Sequence, residues 1–236
     1  MAEANKTEKT RFAIIAALES EEALLRAALK NRRSYTILSA PVFRGTVGGH
    51  EVILLRSGMG KVSAAIGAQM MISRFRPDLV INTGCAGALS GQLGIGDMVV
   101  SDRVAEWDLD LTPIGYPMGY IDALKCVEMQ ASAELADRIR PFMKGHVMRG
   151  LIVSGDQFVS APAQRQHILH SFPDALCTEM EGAAIGQVCC QNGVPFCVLR
   201  AISDTADGSS GVDFAAFAET AGRQSAACLI DMLTNT

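Results

Sequence analysis

Short apolar runs alternate with amphipathic stretches along most of this chain. The apolar runs predict buried strands at 11–18, 51–58, 78–87, 96–107, 147–156, 175–180 and 195–204. A helical spacing of apolar residues predicts helices at 19–29, 61–75, 132–143, 161–172, 182–193 and 213–234. Several of the strands are apolar on both faces, as strands in buried parallel or mixed sheets are.

Alternation of strands and helices predicts the α/β class and, within it, a three-layer α/β/α sandwich with a central mixed, mostly buried sheet. The polar stretch 1–10 is interpreted as a flexible tail, and 11–236 as a single domain, since no linker or internal repeat interrupts the pattern. The stretch 108–130 carries two prolines, two glycines and two tyrosines. We expect an ordered loop there, and loops of that length tend to be functional.

Composition narrows the classes of partner. The chain has 236 residues, of which 49% are hydrophobic and 19% are charged, and its net charge is −4. Without a basic run, nucleic acid and anionic membranes are not expected as partners. Charged or turn residues interrupt every apolar run, and the first residues lack the apolar stretch of a signal peptide. We therefore expect neither a membrane-spanning segment nor a signal peptide.

The cysteines and histidines indicate a reducing environment rather than a metal site. An odd number of cysteines without a C-x-x-C motif predicts reduced, buried thiols, and hence a cytoplasmic protein. These are Cys85, Cys126, Cys177, Cys189, Cys190, Cys197 and Cys228. His167 and His170 form a lone pair without nearby acid or cysteine ligands, so neither a metal nor another cofactor is expected.

The common nucleotide and nucleophile motifs do not match. The first strand leads into "LESEEA", with acids where a pyrophosphate site needs bare backbone. The Gly-Lys pair in "SGMGKVSA" (57–64) resembles a phosphate loop, but Leu55 and Val62 occupy positions that need glycine and serine or threonine. No G-x-S-x-G of a serine hydrolase is present.

Acids at the carboxyl ends of predicted strands are the remaining candidates for chemistry, because open α/β sheets bind ligands at that edge. Each has an ordinary structural interpretation. Glu21 and Glu22 could oppose a helix dipole, and Asp204 could form an Asx turn. In "TEMEG" (178–182), Thr178 and Glu181 have the spacing of a capping box, while Glu179 and Glu181 would face the same side of an extended segment.

Four ordered motifs carry a resemblance to a known family. "INTGCAG" (81–87), "VSGDQFV" (153–159), "TEMEGAAI" (178–185) and "VLRAISDTAD" (198–207) resemble the nucleoside phosphorylase and nucleosidase superfamily. Within it, the chain is most similar to the bacterial 5′-methylthioadenosine/S-adenosylhomocysteine nucleosidases. The resemblance covers about 11–232 and implies hydrolysis of the N-glycosidic bond between adenine and a 5′-thioribose.

The resemblance also implies roles for individual residues. Asp204 matches the acid that protonates adenine N7, Glu21 the group that positions and deprotonates the attacking water, and Glu181 the acceptor for the ribose hydroxyls. Adenine is expected to stack on Phe158 and to hydrogen-bond the backbone of Val159. The other expected substrate-binding residues are Met180 on the ribose, Met59 on the 5′ side, Cys85, Ala86 and Gly87 on the floor, and Arg200, Ser203 and Glu179 in support.

Water is expected as the nucleophile rather than phosphate. Hexameric phosphorylases of this superfamily carry an arginine at the position of Asn82 and another near that of Glu21. An acid facing that space would repel phosphate. A phosphorylase, a nucleosidase for another nucleoside such as futalosine, and a non-catalytic nucleoside-binding relative are the alternatives.

The chain departs from the common nucleosidase pattern at Cys85, Leu18 and Ala88, where serine, methionine and glycine are frequent. These differences leave the preference for the 5′ substituent open. Members of the family are usually dimers, and the resemblance implies a homodimer with 108–120 near the partner subunit. Ile114 and Tyr116 fall where a partner typically contacts the 5′ substituent, and the stretch Trp107 to Tyr120 would suit such an interface.

Overall fold

The computed structural model describes residues 10–206 and 214–236. The predicted tail therefore lies outside the described residues except for Thr10. The elements, in chain order, are β1 (Arg11–Ala16), α1 (Glu19–Ala28), β2 (Lys30–Ile37), β3 (Ala40–Val47), β4 (His50–Arg56), α2 (Lys61–Phe75), β5 (Leu79–Ala88), β6 (Met98–Glu106), β7 (Glu128–Gln130), α3 (Ala133–Ile139), β8 (Val147–Ser154), α4 (Pro162–Ser171), β9 (Ala175–Glu179), α5 (Gly182–Asn192), β10 (Phe196–Asp204) and α6 (Phe214–Asn235).

Each predicted strand and helix is confirmed, with boundaries that differ by a few residues. The helix predicted at 132–143 is shorter, because Pro141 cannot continue it and Arg140–Phe142 form a 3₁₀ turn. The stretch 108–130 contains a 3₁₀ turn at Thr112–Ile114, an isolated bridge between Ile121 and Cys126, and β7.

Three strands, β2, β3 and the short β7, are absent from the predicted pattern. The sequence of β2, "KNRRSYTI", is exposed over its first half and has no apolar alternation there. In the order of the sheet it is the outermost strand. Basic side chains on such an edge hinder pairing with another chain. Because the signal for a strand is burial of one face, an exposed edge strand escapes detection from sequence.

All ten described strands belong to one mixed sheet, in the order β10-β6-β8-β9-β5-β1-β4-β3-β2, with β7 beside β6. An additional parallel pairing joins β10 to β5. Strands β5, β10, β6, β8 and β9 therefore form a closed ring of pairings, and β1, β4, β3 and β2 extend from it as an open sheet.

Helices cover both faces of this sheet. Successive residues of β1 point to opposite faces, as the pleat requires. Ile15 packs in a core with Met71 of α2 and Ile185 of α5, whereas Ile14 packs in a second core with Leu229 of α6. The prediction of a mixed α/β fold with a central sheet flanked by helices is confirmed.

The topology brings several strand ends to one place. Strands β1, β5 and β10 are parallel neighbours, so their carboxyl ends lie at the same edge. The end of β9 meets the end of β5, where Thr178 pairs with Gly87. Within the described ranges, none of the helices is long and apolar enough to span a membrane.

Candidate active site

A cavity of about 340 Å³ lies where these strands end. Its volume falls within the range of about 300–1,000 Å³ that small-molecule sites occupy. All the predicted site residues except Arg200 line it. The lining residues are Ala17, Leu18, Glu21, Met59, Cys85, Ala86, Gly87, Gln157, Phe158, Val159, Thr178, Glu179, Met180, Glu181, Ser203 and Asp204.

Glu21 is held by backbone donors from the turn after β1 and from β5. Its Oε2 accepts hydrogen bonds from the backbone N–H groups of Ala17 and Leu18, both at 2.9 Å. Its Oε1 accepts one from the backbone N–H of Cys85 at 3.1 Å. A carboxylate has about four acceptor positions, so one remains for a group in the cavity. A Cβ at Gly84 would lie 2.4 Å from Oε1, which explains the glycine there.

The neighbouring acid, Glu22, has a different environment. It is fully buried outside the cavity lining, and its Oε1 lies 3.0 Å from Arg26 on the same helix. Burial, the largest effect, raises its pKa above the ordinary range despite that ion pair. Of the two candidate acids, Glu21 and Glu22, only Glu21 faces the cavity.

A bulge at the end of β10 presents Asp204. The pairing with β5 shifts between Ile202 and Asp204, and Asp204 then lies opposite Gly87. Asp204 Oδ1 accepts a hydrogen bond from the backbone N–H of Ala206, and Oδ2 accepts one from Ser203 Oγ, both at 2.9 Å. The bond to Ala206 is the Asx turn considered from the sequence. Asp204 forms this turn and also lines the cavity.

Arg200 lies behind the cavity and does not line it; there it supports the acids. Only 1% of its surface is exposed. Its Nη2 donates to Glu179 Oε2 and to Asn82 Oδ1, and lies 3.4 Å from Glu181 Oε2. Burial alone would lower the pKa of Arg200, but the charges of Glu179 and Glu181 outweigh burial and raise it. Arg200 therefore stays charged and compensates these two carboxylates.

The capping box predicted for "TEMEG" is wrong. Helix α5 begins at Gly182 with Glu181 as its N-cap, and Thr178 Oγ1 is buried without a hydrogen-bond partner among the described residues. Glu179 caps the helix instead, because its carboxylate accepts from the backbone N–H groups of Glu181 at 3.0 Å and Gly182 at 2.8 Å. Ser154 Oγ donates to Glu179 and accepts from the backbone N–H of Ala183.

With Glu179 occupied in this way, Glu181 is free to face the cavity. Its Oε1 accepts a hydrogen bond of 3.0 Å from the backbone N–H of Gly60, at the start of α2. Burial and the charge of Glu179 raise the pKa of Glu181 to about 8, against the opposing effect of Arg200. The remaining acceptor positions can receive hydroxyl groups of a ligand.

Cys85 presents a neutral thiol to the cavity. Burial, and secondly the charge of Glu21, raise the pKa of this thiol to about 12. A thiol in that state is a poor nucleophile. All seven cysteines are free thiols, but the prediction that all are buried is wrong for Cys190, which is exposed, and for Cys85 and Cys126, which are partly exposed.

The predicted interface stretch divides into a buried part and an exposed part. Trp107 packs in the interior against Gly155, where a Cβ would lie 2.4 Å from its ring, so it is not an interface residue. Ile114 and Tyr116 are exposed, as are Met59 and Phe158 at the cavity.

The predicted histidine pair has no metal-site geometry. His167 packs edge-on against Trp107. No group of three or more potential metal ligands occurs in the part of the chain that the structure describes.

Several residues of the site were not identified from sequence. Ala17 and Gln157 line the cavity, and Ser154 and Gly60 support the two glutamates. Ser154 and Gln157 lie within the motif at 153–159, whereas the local signal for Ala17 is only its place beside Leu18. Nothing local indicates Gly60, whose partner is 121 positions away in the sequence.

Comparison with known proteins supports the resemblance. A sequence model of the phosphorylase superfamily matches residues 11–234. The 5′-methylthioadenosine/S-adenosylhomocysteine nucleosidase of Geobacillus thermodenitrificans is 41% identical over 227 residues, which cover 95% of this chain and 96% of that protein.

Solved structures agree with this result. The nucleosidase of the same description from Neisseria meningitidis, in complex with methylthio-immucillin-A, has a TM-score of 0.92 and 35% identity, covering 96% of this chain and 100% of that one. The corresponding protein from Colwellia psychrerythraea, in complex with adenine, has a TM-score of 0.92 and 34% identity, covering 96% of this chain and 95% of that one.

Proposed function

We propose that this chain, which belongs to the phosphorylase superfamily, hydrolyses the N-glycosidic bond of 5′-methylthioadenosine and S-adenosylhomocysteine. The products are adenine and the 5′-thioribose. The observation that carries the proposal is the convergence of Glu21, Glu181 and Asp204 on one cavity at the carboxyl ends of the strands.

One acid, Asp204, acts on the adenine base, and the other two act on the sugar. Cleavage of an N-glycosidic bond passes through an oxocarbenium-like sugar, as glycoside hydrolysis does. Asp204 donates a proton to adenine N7, so that the electrons of the C1′–N9 bond leave with a neutral base. The backbone N–H of Ala206 and the hydroxyl of Ser203 orient its two oxygens.

Glu21 and Glu181 act on the sugar side. Three backbone donors hold Glu21, and its remaining acceptor position takes a water molecule. As the water oxygen bonds to C1′, Glu21 accepts its proton. Glu181, ionised, accepts hydrogen bonds from the two ribose hydroxyls, which can both donate to one carboxylate. Met180 packs against the ribose, and Phe158 stacks on adenine.

The charges around the cavity favour water over phosphate. Among the described residues that line it there are four acids and no lysine or arginine. The buried cation behind them, Arg200, is already paired with Glu179 and Glu181. Phosphorolysis needs a site for a phosphate anion, usually built from arginines. A phosphate beside these carboxylates would be repelled.

Adenine release in the presence and absence of phosphate tests the function. We expect purified protein to release adenine from both nucleosides in phosphate-free buffer, with free sugar as the second product and no acceleration by added phosphate. Release that depends on phosphate would identify a phosphorylase. No release from either nucleoside would contradict the proposal and favour another nucleoside or a binding protein.

A homodimer is the second part of the proposal. On the exposed side of α2, Val62 and Ile66 are spaced to share one helix face, and both are more than half exposed, at 69% and 52%. Leu38 and Met59 are also exposed. Clusters of exposed apolar side chains mark interaction surfaces. Because Met59 also lines the cavity, a partner on this face would lie close to the site.

Sedimentation velocity tests the dimer. We expect the wild-type chain to sediment as a dimer and Ile66→Glu as a monomer, since the new carboxylate would be buried at the interface. Ile95, 46% exposed in the turn before β6, provides the matched control. Ile95→Glu should leave the dimer intact. A wild-type monomer at micromolar concentration would refute this part of the proposal.

A cytoplasmic location completes the proposal, supported by seven free thiols of the kind that reducing compartments maintain. Cell fractionation that finds the protein outside the cytoplasm would contradict it.

A further inference from the structure

A cluster of charged side chains lies beside the cavity without lining it. Lys61, the first residue of α2, donates from Nζ to Glu106 Oε2 at 2.7 Å and to Asp108 Oδ1 at 2.6 Å. Its backbone N–H donates to Asp156 Oδ1 at 2.7 Å. The backbone N–H of Asp156 in turn donates to Asp108 Oδ2 at 2.7 Å. These four residues, termed the Lys61 cluster, form a continuous hydrogen-bonded chain.

The cluster joins three segments that are far apart in sequence. Lys61 follows directly after Met59 and Gly60, which supply a wall of the cavity and the N–H donor to Glu181. Asp156 directly precedes Gln157, Phe158 and Val159, which line the cavity on the base side. Glu106 and Asp108 stand at the end of β6. Hydrogen bonds among these charged residues, none of which lines the cavity, therefore connect the two walls.

The environment makes these bonds strong. The side chains of Lys61, Glu106 and Asp108 are only 16%, 9% and 15% exposed. Burial alone would lower the pKa of Lys61, but the hydrogen bonds to Asp108 and Glu106 outweigh it and raise that pKa. Without the ammonium group, two largely buried carboxylates would face each other unpaired. The start of α2 would then keep only an indirect connection to the end of β6, through Asp156.

We propose that Lys61, with Asp108 and Asp156, is a positioning residue for hydrolysis. Its side chain ties the start of α2 to Asp108, which also holds the backbone of Asp156. The N–H of Gly60 therefore reaches Glu181, and the walls of the cavity on the sugar side and on the base side keep their spacing. This inference rests on the proposed function. Lys61 acts only through Gly60, Met59 and the 156–159 segment, since it does not line the cavity.

Replacing Lys61 by methionine in the full chain tests the role. A displacement of about 1 Å in an active site can lower rates about 100-fold, so we expect kcat/KM for adenine release to fall about 10- to 100-fold. Losing the Gly60 hydrogen bond, which favours ionised Glu181, should also move the ascending limb of the kcat/KM pH profile to higher pH. Lys61→Arg should restore part of the activity, because it keeps the positive charge.

Arg103 provides a matched control. It lies in β6 and, like Lys61, bridges two carboxylates, Glu128 at 2.9 Å and Asp174 at 2.5 Å; none of these three residues lines the cavity. Arg103→Met should retain the wild-type pH profile and kcat/KM. If Lys61→Met does not fold, Asp156→Ala replaces it, because Asp156 is exposed and its side chain holds only the amino end of α2. The expected changes have the same direction and are smaller.

Amide hydrogen exchange separates this inference from the proposed function. We expect faster exchange at 57–62 and 155–159 in Lys61→Met, and wild-type exchange at both segments in Arg103→Met. Faster exchange together with an inactive wild-type protein would show that Lys61 holds the two segments in place, and would refute the proposed hydrolysis. An active wild type with unchanged exchange, kcat/KM and pH profile in Lys61→Met would overturn the inference.

Discussion

Replacing Asp204 by asparagine is expected to lower kcat for adenine release by about 10²- to 10⁴-fold, the usual contribution of a general acid. The amide keeps the size of the side chain and can still accept the hydrogen bond from the backbone N–H of Ala206. It cannot give up a proton to adenine N7, so the base would have to leave as an anion. Steady-state rates on 5′-methylthioadenosine measure the effect, and KM should change much less than kcat.

A second Asp→Asn variant controls for the substitution itself. Asp137 is exposed and pairs with Arg149 at 2.9 Å, on the surface and outside the cavity lining. Asp137→Asn should leave kcat unchanged, since surface ion pairs contribute little. Near-wild-type turnover by a folded Asp204→Asn protein would refute the role of Asp204 as the acid.

Above pH 8, where Glu181 is ionised, replacing it by glutamine is expected to lower kcat/KM by about 10²- to 10⁴-fold. Each hydrogen bond to a charged group contributes about 1.5–3 kcal/mol, and two ribose hydroxyls would lose a charged acceptor. The variant keeps an oxygen for the N–H of Gly60, so the start of α2 should remain in place. Comparing kcat/KM with kcat shows whether the lost contacts hold the substrate or only its transition state.

The pH dependence gives Glu181 a distinct signature. Its pKa of about 8 means that in the free enzyme the carboxyl is mostly protonated below pH 8 and ionised above it. Because the ionised form accepts both hydroxyls, wild-type kcat/KM should rise with pH through about 8, and Glu181→Gln should lack this limb. Glu128→Gln, remote from the cavity, is the control. If the ascending limb of the pH profile persists in Glu181→Gln, another group is responsible for it.

The alternation of apolar runs and amphipathic stretches determined the fold class and nearly all elements. That information is local, because a strand buried on both faces and a helix with one apolar face each leave a pattern in consecutive residues. β2 shows the limit of the method, since an exposed edge strand has no such pattern. The order of the strands, and the closure of five of them through the pairing of β10 with β5, depend on long-range contacts that no local pattern records.

The sequence alone also determined that acids follow several strands, and the resemblance of four motifs gave them roles. Only the tertiary structure decided which acids share the cavity. In the structure, Glu21 lines the cavity and Glu22 does not. Glu179 rather than Thr178 caps α5, and Arg200 lies behind the carboxylates whose charge it compensates. The physical reason is that burial and charge pairing depend on neighbours in space. Gly60 and Glu181 are joined across 121 positions, and Lys61 and Asp108 across 47.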